Sequence, residues 1–251
     1  MSRVGKRAIA AMSLAPLAIW GSAVAGVANT LNPVQQLLIT QQCNGCDLSG
    51  ATLSGMQLAG VSLERANLQN ADLQSAVLRS AQFQGADLTG ANLQSAVLTQ
   101  ANLTAATLVE SNLSAARLTF ADLTQADLRG ADLTGAIAPE ANFTAAQFGA
   151  ADLSAANLIK ASFTTANLAA ANLQGADLTE AYILRADLSN ANLQGVDLSR
   201  SRLVRSSFNG ADLTDANLRR ATISRATFED ATFCRTIMPD GSQNDTDCSP
   251  E

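Results

Sequence analysis

Apolar and polar residues recur along this chain with a period of five. Over residues 46–235 the period runs through 38 consecutive blocks without an insertion or deletion. The third residue of a block is Leu, Phe or Ile in 37 of them, from Leu48 and Leu53 to Phe228 and Phe233, and the first is Ala in 31. Between them the second residue is most often Asp or Asn, as in Ala86-Asp87-Leu88 and Ala171-Asn172-Leu173. On an α-helix a step of five residues rotates the Leu by about 140°, and on a flat strand it swaps faces each time. The leucines therefore share a core only if every block turns a corner. Ala and Leu then point in, the Asp or Asn points out, and the last two residues turn the chain. Those last positions are rich in Ser, Thr, Gln and Gly, including Gly50, Gly90 and Gly130, as turns require. The pattern predicts a solenoid whose coils bury their core by stacking on one another.

The A(D/N)Lxx blocks resemble the pentapeptide-repeat family over about three quarters of the chain. The resemblance implies an all-β fold, a right-handed quadrilateral β-helix with four blocks per coil, and so about nine and a half coils for the 38 blocks. At ~4.8 Å between strands the rod would be roughly 45 Å long. Taken alone, the sequence supports a 20-residue coil only through coincidences such as Arg185, Arg205 and Arg225. One Leu or Phe and one Ala from each of four sides would fill the section. Neither a channel nor a lipid carrier is expected, and function should lie on the outer faces, at the ends, or in the flanking segments.

Residues 1–28 read as an export signal: Arg3, Lys6 and Arg7, an apolar run from Ala8, then Ala23-Val24-Ala25 and Gly26-Val27-Ala28. Cleavage is expected after Ala25 or Ala28. The alternative is a retained anchor, since residues 8–28 approach the ~20 needed to span a bilayer. Residues 29–45 form a predicted N-terminal cap, in which Val34, Leu37 and Leu38 have the spacing of a short helix lying over the first coil. Residues 236–251, with the Pro239-Asp240-Gly241 turn signal, form a predicted C-terminal cap. Cys43-Asn44-Gly45-Cys46 before the repeats and Phe233-Cys234 after them resemble exported, cyanobacterial-type members of the family. That resemblance implies a periplasmic or thylakoid-lumen location. A rod between the cysteine pairs leaves Cys43 with Cys46 and Cys234 with Cys248, because bridged Cα atoms lie within about 7 Å. The rival readings are a zinc site, which needs four converging ligands in a chain that has no His, and a redox pair, which favours a helix N-terminus where Cys46 opens a strand.

The net charge of −6 becomes −9 without Arg3, Lys6 and Arg7, which predicts a soluble mature protein that binds nucleic acid poorly. Residues 46–180 hold 12 acids and 5 bases, whereas residues 181–235 hold 6 acids and 8 bases. No catalytic, cofactor-binding or metal-binding residue is expected. There is no nucleophile beside a base and no phosphate-cradling Gly loop, and Asp exchanges with Asn at one position as in a solvated ladder. A flat ladder also does not wrap oxygens around calcium.

With a 20-residue coil, Val77, Val97 and Ile137 share one face, with Phe120, Pro139 and Ile159 on or beside it. The next face carries Tyr182, Leu184 and Val204, edged by Arg185, Arg200, Arg202, Arg205, Arg219, Arg220 and Arg225. Apolar residues rimmed by charge mark an interface for another protein or a second copy. The plainer alternative is that Val and Ile simply favour β structure and the arginines are solvated. In block 136–140, Ala138 replaces the core Leu and Pro139 sits at the corner, with Phe143 and Phe148 near enough to fill the volume. The expected function is a non-enzymatic exported scaffold with no cofactor and no membrane partner after cleavage. The alternative is a DNA mimic directed at gyrase, which would call for a long anionic face and no export signal.

Overall fold

The computed structural model describes residues 31–248. The expected export signal, its cleavage points and the alternative anchor lie outside them, and no helix among the described residues is long and apolar enough to cross a membrane. The first element is helix α1, Pro33–Thr40. Its start is a capping box: Asn32 Oδ1 accepts from the Gln35 N–H (2.8 Å), the Gln35 side chain accepts from the Asn32 N–H (3.2 Å), and Pro33 needs no partner. Gln41, left-handed at φ 57°, ends it. Leu37 is fully buried and Val34 half-buried against the core. Leu38 departs from the expected apolar face: it is 49% exposed, because eight residues make only two turns and a single leucine reaches the coil below.

Beyond α1 the chain is a β-helix. Parallel bridges link each residue at the second position to the one twenty further on, from Gln42↔Ser62 to Asn217↔Ile237, so each coil takes four blocks and four turns. The bridges take in one block beyond the run of leucines at either end. Cys43 occupies the inward third position before Leu48 and is fully buried there.

In block 66–70 every backbone donor has its own acceptor, as a buried backbone demands. Ala66 N–H donates to Leu63 O across the turn (3.1 Å), Asn67 N–H to Cys46 O in the preceding coil (2.9 Å), and Leu68 N–H to Asp87 O in the following one (2.7 Å). Gln69 N–H donates to the side chain of its own Asn67 (3.1 Å) and Asn70 N–H to Thr89 O (2.9 Å). The fifth residue closes the corner in the left-handed region, Asn70 at φ 56° for example. Gly90 at the same corner leaves room for its neighbour: a Cβ would lie 2.6 Å from Asn70 Oδ1 in the coil before, and that side chain would have to shift.

First and third positions, joined by Leu37 of α1, form one continuous hydrophobic core from Leu37 to Ala221. Ala138 is fully buried, and beside it Phe143 stacks on Phe163 at 5.0 Å and meets the edge of Phe148 at 5.3 Å. Three regular strands stand out among the repeats: β1 (Tyr182–Leu184), β2 (Arg202–Val204) and β3 (Thr222–Ser224), paired in parallel in that order. The C-terminal end is closed by an antiparallel pair, β4 (Thr236–Ile237) and β5 (Gln243–Asn244). Both disulfides form: Cys43–Cys46 and Cys234–Cys248.

Candidate functional site

The ladder of second-position Asp and Asn is more constrained than a solvated row. Most of these side chains are half-buried between coils. Asp and Asn share one task, accepting the N–H two residues on, as Asp132 does from Thr134 at 2.9 Å. They differ in the other. Asn also donates to the rung below: Asn92 to Asp72 (3.0 Å), Asn172 to Asp152 (3.1 Å) and Asn217 to Asp197 (3.2 Å). Where an Asn follows an Asp along the axis, the two rungs thus form a donor–acceptor pair.

These bonds set the acidity of the ladder. Burial pushes the Asp87 carboxyl up, but the hydroxyl and amide of Thr89 and the Gln69 amide outweigh it and hold the group below the usual range. In Asp152 the same upward push of burial is overcome by Ser154 and Asn172, and in Asp212 by Thr214 and Gln194. A depressed carboxyl stabilises the fold above its unfolded value of about 3.9, and the contribution is lost as pH falls through the folded value. The urea midpoint should therefore match at pH of about 7 and 5 and drop near pH 3. The triple variant Asp87→Asn, Asp152→Asn, Asp212→Asn should drop less; an equal drop would remove the ladder as its cause.

The bridge register places each candidate surface residue. Val77 and Val97 are bridged neighbours on one face, but Arg117 stands between Val97 and Ile137 in the same file. Phe120 sits at the corner ending that face, 51% exposed, with its N–H on Pro139 O (3.2 Å). Ile159 occupies the same corner two coils on and is half-buried. On the adjoining face Tyr182 is 41% exposed and lies under the Arg202 guanidinium, 5.8 Å from ring centre to Cζ. The far corner of that face brings together Leu184, Arg185, Val204, Arg205 and Arg225 around one groove. The predicted set therefore divides in two: a file of Val77, Val97 and Ile137, interrupted by Arg117 and with Phe120 at its corner, in the earlier coils, and an arginine-rimmed groove in the later ones.

A feature the five-residue pattern did not signal underlies this groove. In an ordinary block the first-position N–H bonds the carbonyl three residues back, as Ala191 does to Leu188 (3.1 Å). After β1 the turn is open, and a hydroxyl from the next coil bridges it: Ser206 Oγ donates to Ile183 O (2.7 Å) and accepts from Ala186 N–H (3.2 Å). Here the fourth residues Leu184, Val204 and Ser224 are extended and belong to the strands. Ser206 stands in place of the usual first-position Ala, but so do Ser111 and Ser201, whose turns stay closed at 3.1 Å.

The model of the family described as pentapeptide repeats matches in eight copies, over residues 42–79, 81–119, 111–149, 146–183, 181–220 and 201–238. Among solved structures, HetL, a pentapeptide repeat protein involved in heterocyst differentiation regulation from the cyanobacterium Nostoc sp. strain PCC 7120, is 32% identical over 81% of this chain and 92% of its own, with a TM-score of 0.43. QnrB1, a plasmid-mediated fluoroquinolone resistance protein, is 19% identical over 72% of this chain and 90% of its own, with a TM-score of 0.34. A pentapeptide repeat protein of the Arabidopsis thaliana thylakoid lumen is 26% identical over 49% of this chain and 68% of its own, with a TM-score of 0.19. No curated protein matches the chain. With the family model spanning most of its length and the Ala-Asx-Leu rung repeated from coil to coil, the chain belongs to the pentapeptide-repeat family.

Proposed function

We propose that the protein is a non-enzymatic, exported interaction scaffold that presents two adjoining β-helix faces to another protein. The repeats over 46–235 are read as a right-handed, four-sided helix of about nine and a half coils between an N-terminal cap over 29–45 and a C-terminal cap over 236–251. Residues 1–28 are the export signal in this reading, and the compartment is the periplasm or thylakoid lumen. The two disulfides support an oxidising location.

The observation that carries the reading is the exposure of Phe120 (51%) and Tyr182 (41%) on a helix whose interior is continuously filled. Large apolar side chains left outside a complete core are where partners anchor. A gyrase-directed DNA mimic fits less well, because the arginines of the later coils break any continuous anionic face. The test is to crosslink the mature protein in its own compartment and to compare it with Phe120→Ser/Ile137→Ser. Each substitution removes an anchor of the kind worth about 2 kcal/mol at a binding centre. The expected result is loss of the captured protein, or of the oligomer, by more than about tenfold. Unchanged capture and unchanged oligomer size would sink the reading.

A further inference from the structure

The groove after β1, β2 and β3 has a volume of about 510 Å³, the range of ligand sites. It is lined by Leu184 and Val204 with the hydroxyls of Thr164, Thr165 and Ser224 around them, and beside these stands a file of guanidiniums, Arg185, Arg205 and Arg225. All three arginines stand at left-handed corners, φ 57°, 59° and 57°, one per coil. Among the described residues none of the three forms an ion pair. By contrast, the nearby Arg200 lies 3.5 Å from Glu180 and Arg235 lies 2.6 Å from Asp215. Three adjacent like charges without counter-charges cost the fold electrostatic repulsion, and an incoming anion relieves it.

We propose that this groove binds a short extended segment of an acidic protein, one that alternates carboxylates with apolar side chains. The assignment rests on reading the protein as an interaction module and gives that module its partner chemistry. Three observations favour this occupant. First, guanidiniums stacked at about 4.8 Å per coil span ~10 Å, more than one carboxylate can cover, so the ligand carries several. Second, the Leu and Val lining calls for apolar side chains between the charges, which an extended strand supplies by alternation. Third, the cationic stretch is short. Residues 46–180 carry a balance of −7 against +2 for 181–235, so a long polyanion continuing along the coils would be repelled.

The experiment measures fluorescence anisotropy of a labelled peptide of four Glu-Val repeats against the disulfide-intact mature protein, with Glu-Ser and Lys-Val repeats as controls. The Glu-Val peptide should bind more tightly than Glu-Ser, and Lys-Val should not bind. The triple variant Arg185→Gln, Arg205→Gln, Arg225→Gln should weaken Glu-Val binding at least about tenfold, as three exposed charge pairs together can. These arginines sit at the surface, so circular dichroism should match the wild type. Leu184→Ser/Val204→Ser should erase the preference for Glu-Val over Glu-Ser, and raising salt from about 0.05 to about 0.5 M should weaken binding of the wild type more than that of the triple variant.

Equal binding by wild type and triple variant overturns the assignment. So does a wild-type dimer that becomes monomeric in the triple variant, since the occupant is then a second copy. If the wild type ignores the peptide but still loses its crosslinked partner in Phe120→Ser/Ile137→Ser, the groove assignment fails while the scaffold reading stands. If peptide binding behaves as expected and native crosslinking captures nothing, the scaffold reading fails at the file of Val77, Val97 and Ile137.

Discussion

Replacing Phe143 with Ala should destabilise the β-helix by about 3–5 kcal/mol, as a buried Phe-to-Ala change does where the site does not collapse. Phe143 is fully buried, stacked on Phe163 at 5.0 Å with 16° between the planes and edge-on to Phe148 at 5.3 Å. Aromatic pairs add about 0.5–1.5 kcal/mol each beyond the buried area. The backbone is pinned from both sides, with Phe143 N–H on Ser162 O (2.7 Å) and Asn142 N–H on Ala121 O (2.9 Å), so the cavity stays open. Restoring the usual Leu at position 138 gives the complementary test. If the rings occupy the volume left by Ala138, Ala138→Leu overpacks the section and costs about 1–3 kcal/mol. The pair Ala138→Leu/Phe143→Leu should then recover part of that loss, a coupling that a double-mutant cycle of urea midpoints reads directly. A stabilising Ala138→Leu would mean the cavity is real and unfilled.

The core was legible because its signal repeats. A Leu every five residues leaves no regular element to hold it, and the burial of Leu48, Leu123 and Leu213 alike follows from the one rule. The coil of four blocks was less legible. Nothing in a block of five specifies how many corners close a turn, and only the bridges twenty residues apart decide it. The end of α1 shows the limit of spacing arguments. Leu37 and Leu38 both fit an apolar stripe, but the coil beneath is narrow and takes one of them. Cys43 was legible as a staple and not as a core residue, because its block lacks the Leu that marks the others.

The candidate surface was legible as a list of exceptions to the repeat, and residues twenty apart do fall into files. What the list did not contain was the backbone. The open turns after β1, β2 and β3 arise where Tyr182, Arg202 and Thr222 replace Asp or Asn at the second position and so provide no carboxylate or amide to hold the fourth residue's N–H. That loss is not sufficient on its own. Val77 also lacks such a side chain, yet Ala81 N–H still closes its turn on Leu78 O at 3.2 Å. Three open turns in succession, with the Ser206 hydroxyl bridging one of them, make a groove that no single block encodes.

Removing the Cys234–Cys248 bridge should cost about 3 kcal/mol, the chain-entropy estimate for a loop of about 15 residues, and the loss should be confined to one end. The bridge ties down the β4–β5 pair, which covers the last aromatic layer: Phe228 stacks on Phe208 at 5.0 Å and tilts against Phe233 at 5.8 Å. The same segment satisfies backbone groups the last coil would leave open. The Phe233 N–H donates to Asp247 Oδ2 and the Phe233 carbonyl accepts from the Asp247 N–H, both at 2.9 Å, while the Arg235 N–H donates to Asp245 Oδ1 at 2.9 Å. The N-terminal bridge spans only three residues and should contribute about 2 kcal/mol by the same relation, with α1 held independently by Leu37. Because each coil contacts only its neighbours, Cys234→Ser/Cys248→Ser should release the end and leave the middle intact. Hydrogen exchange should accelerate at the amides of Asn217, Thr232 and Ile237 and stay unchanged at Leu123 and Asn142. Equal acceleration at all five would mean that the helix unfolds as one cooperative body and that the caps govern its entire length.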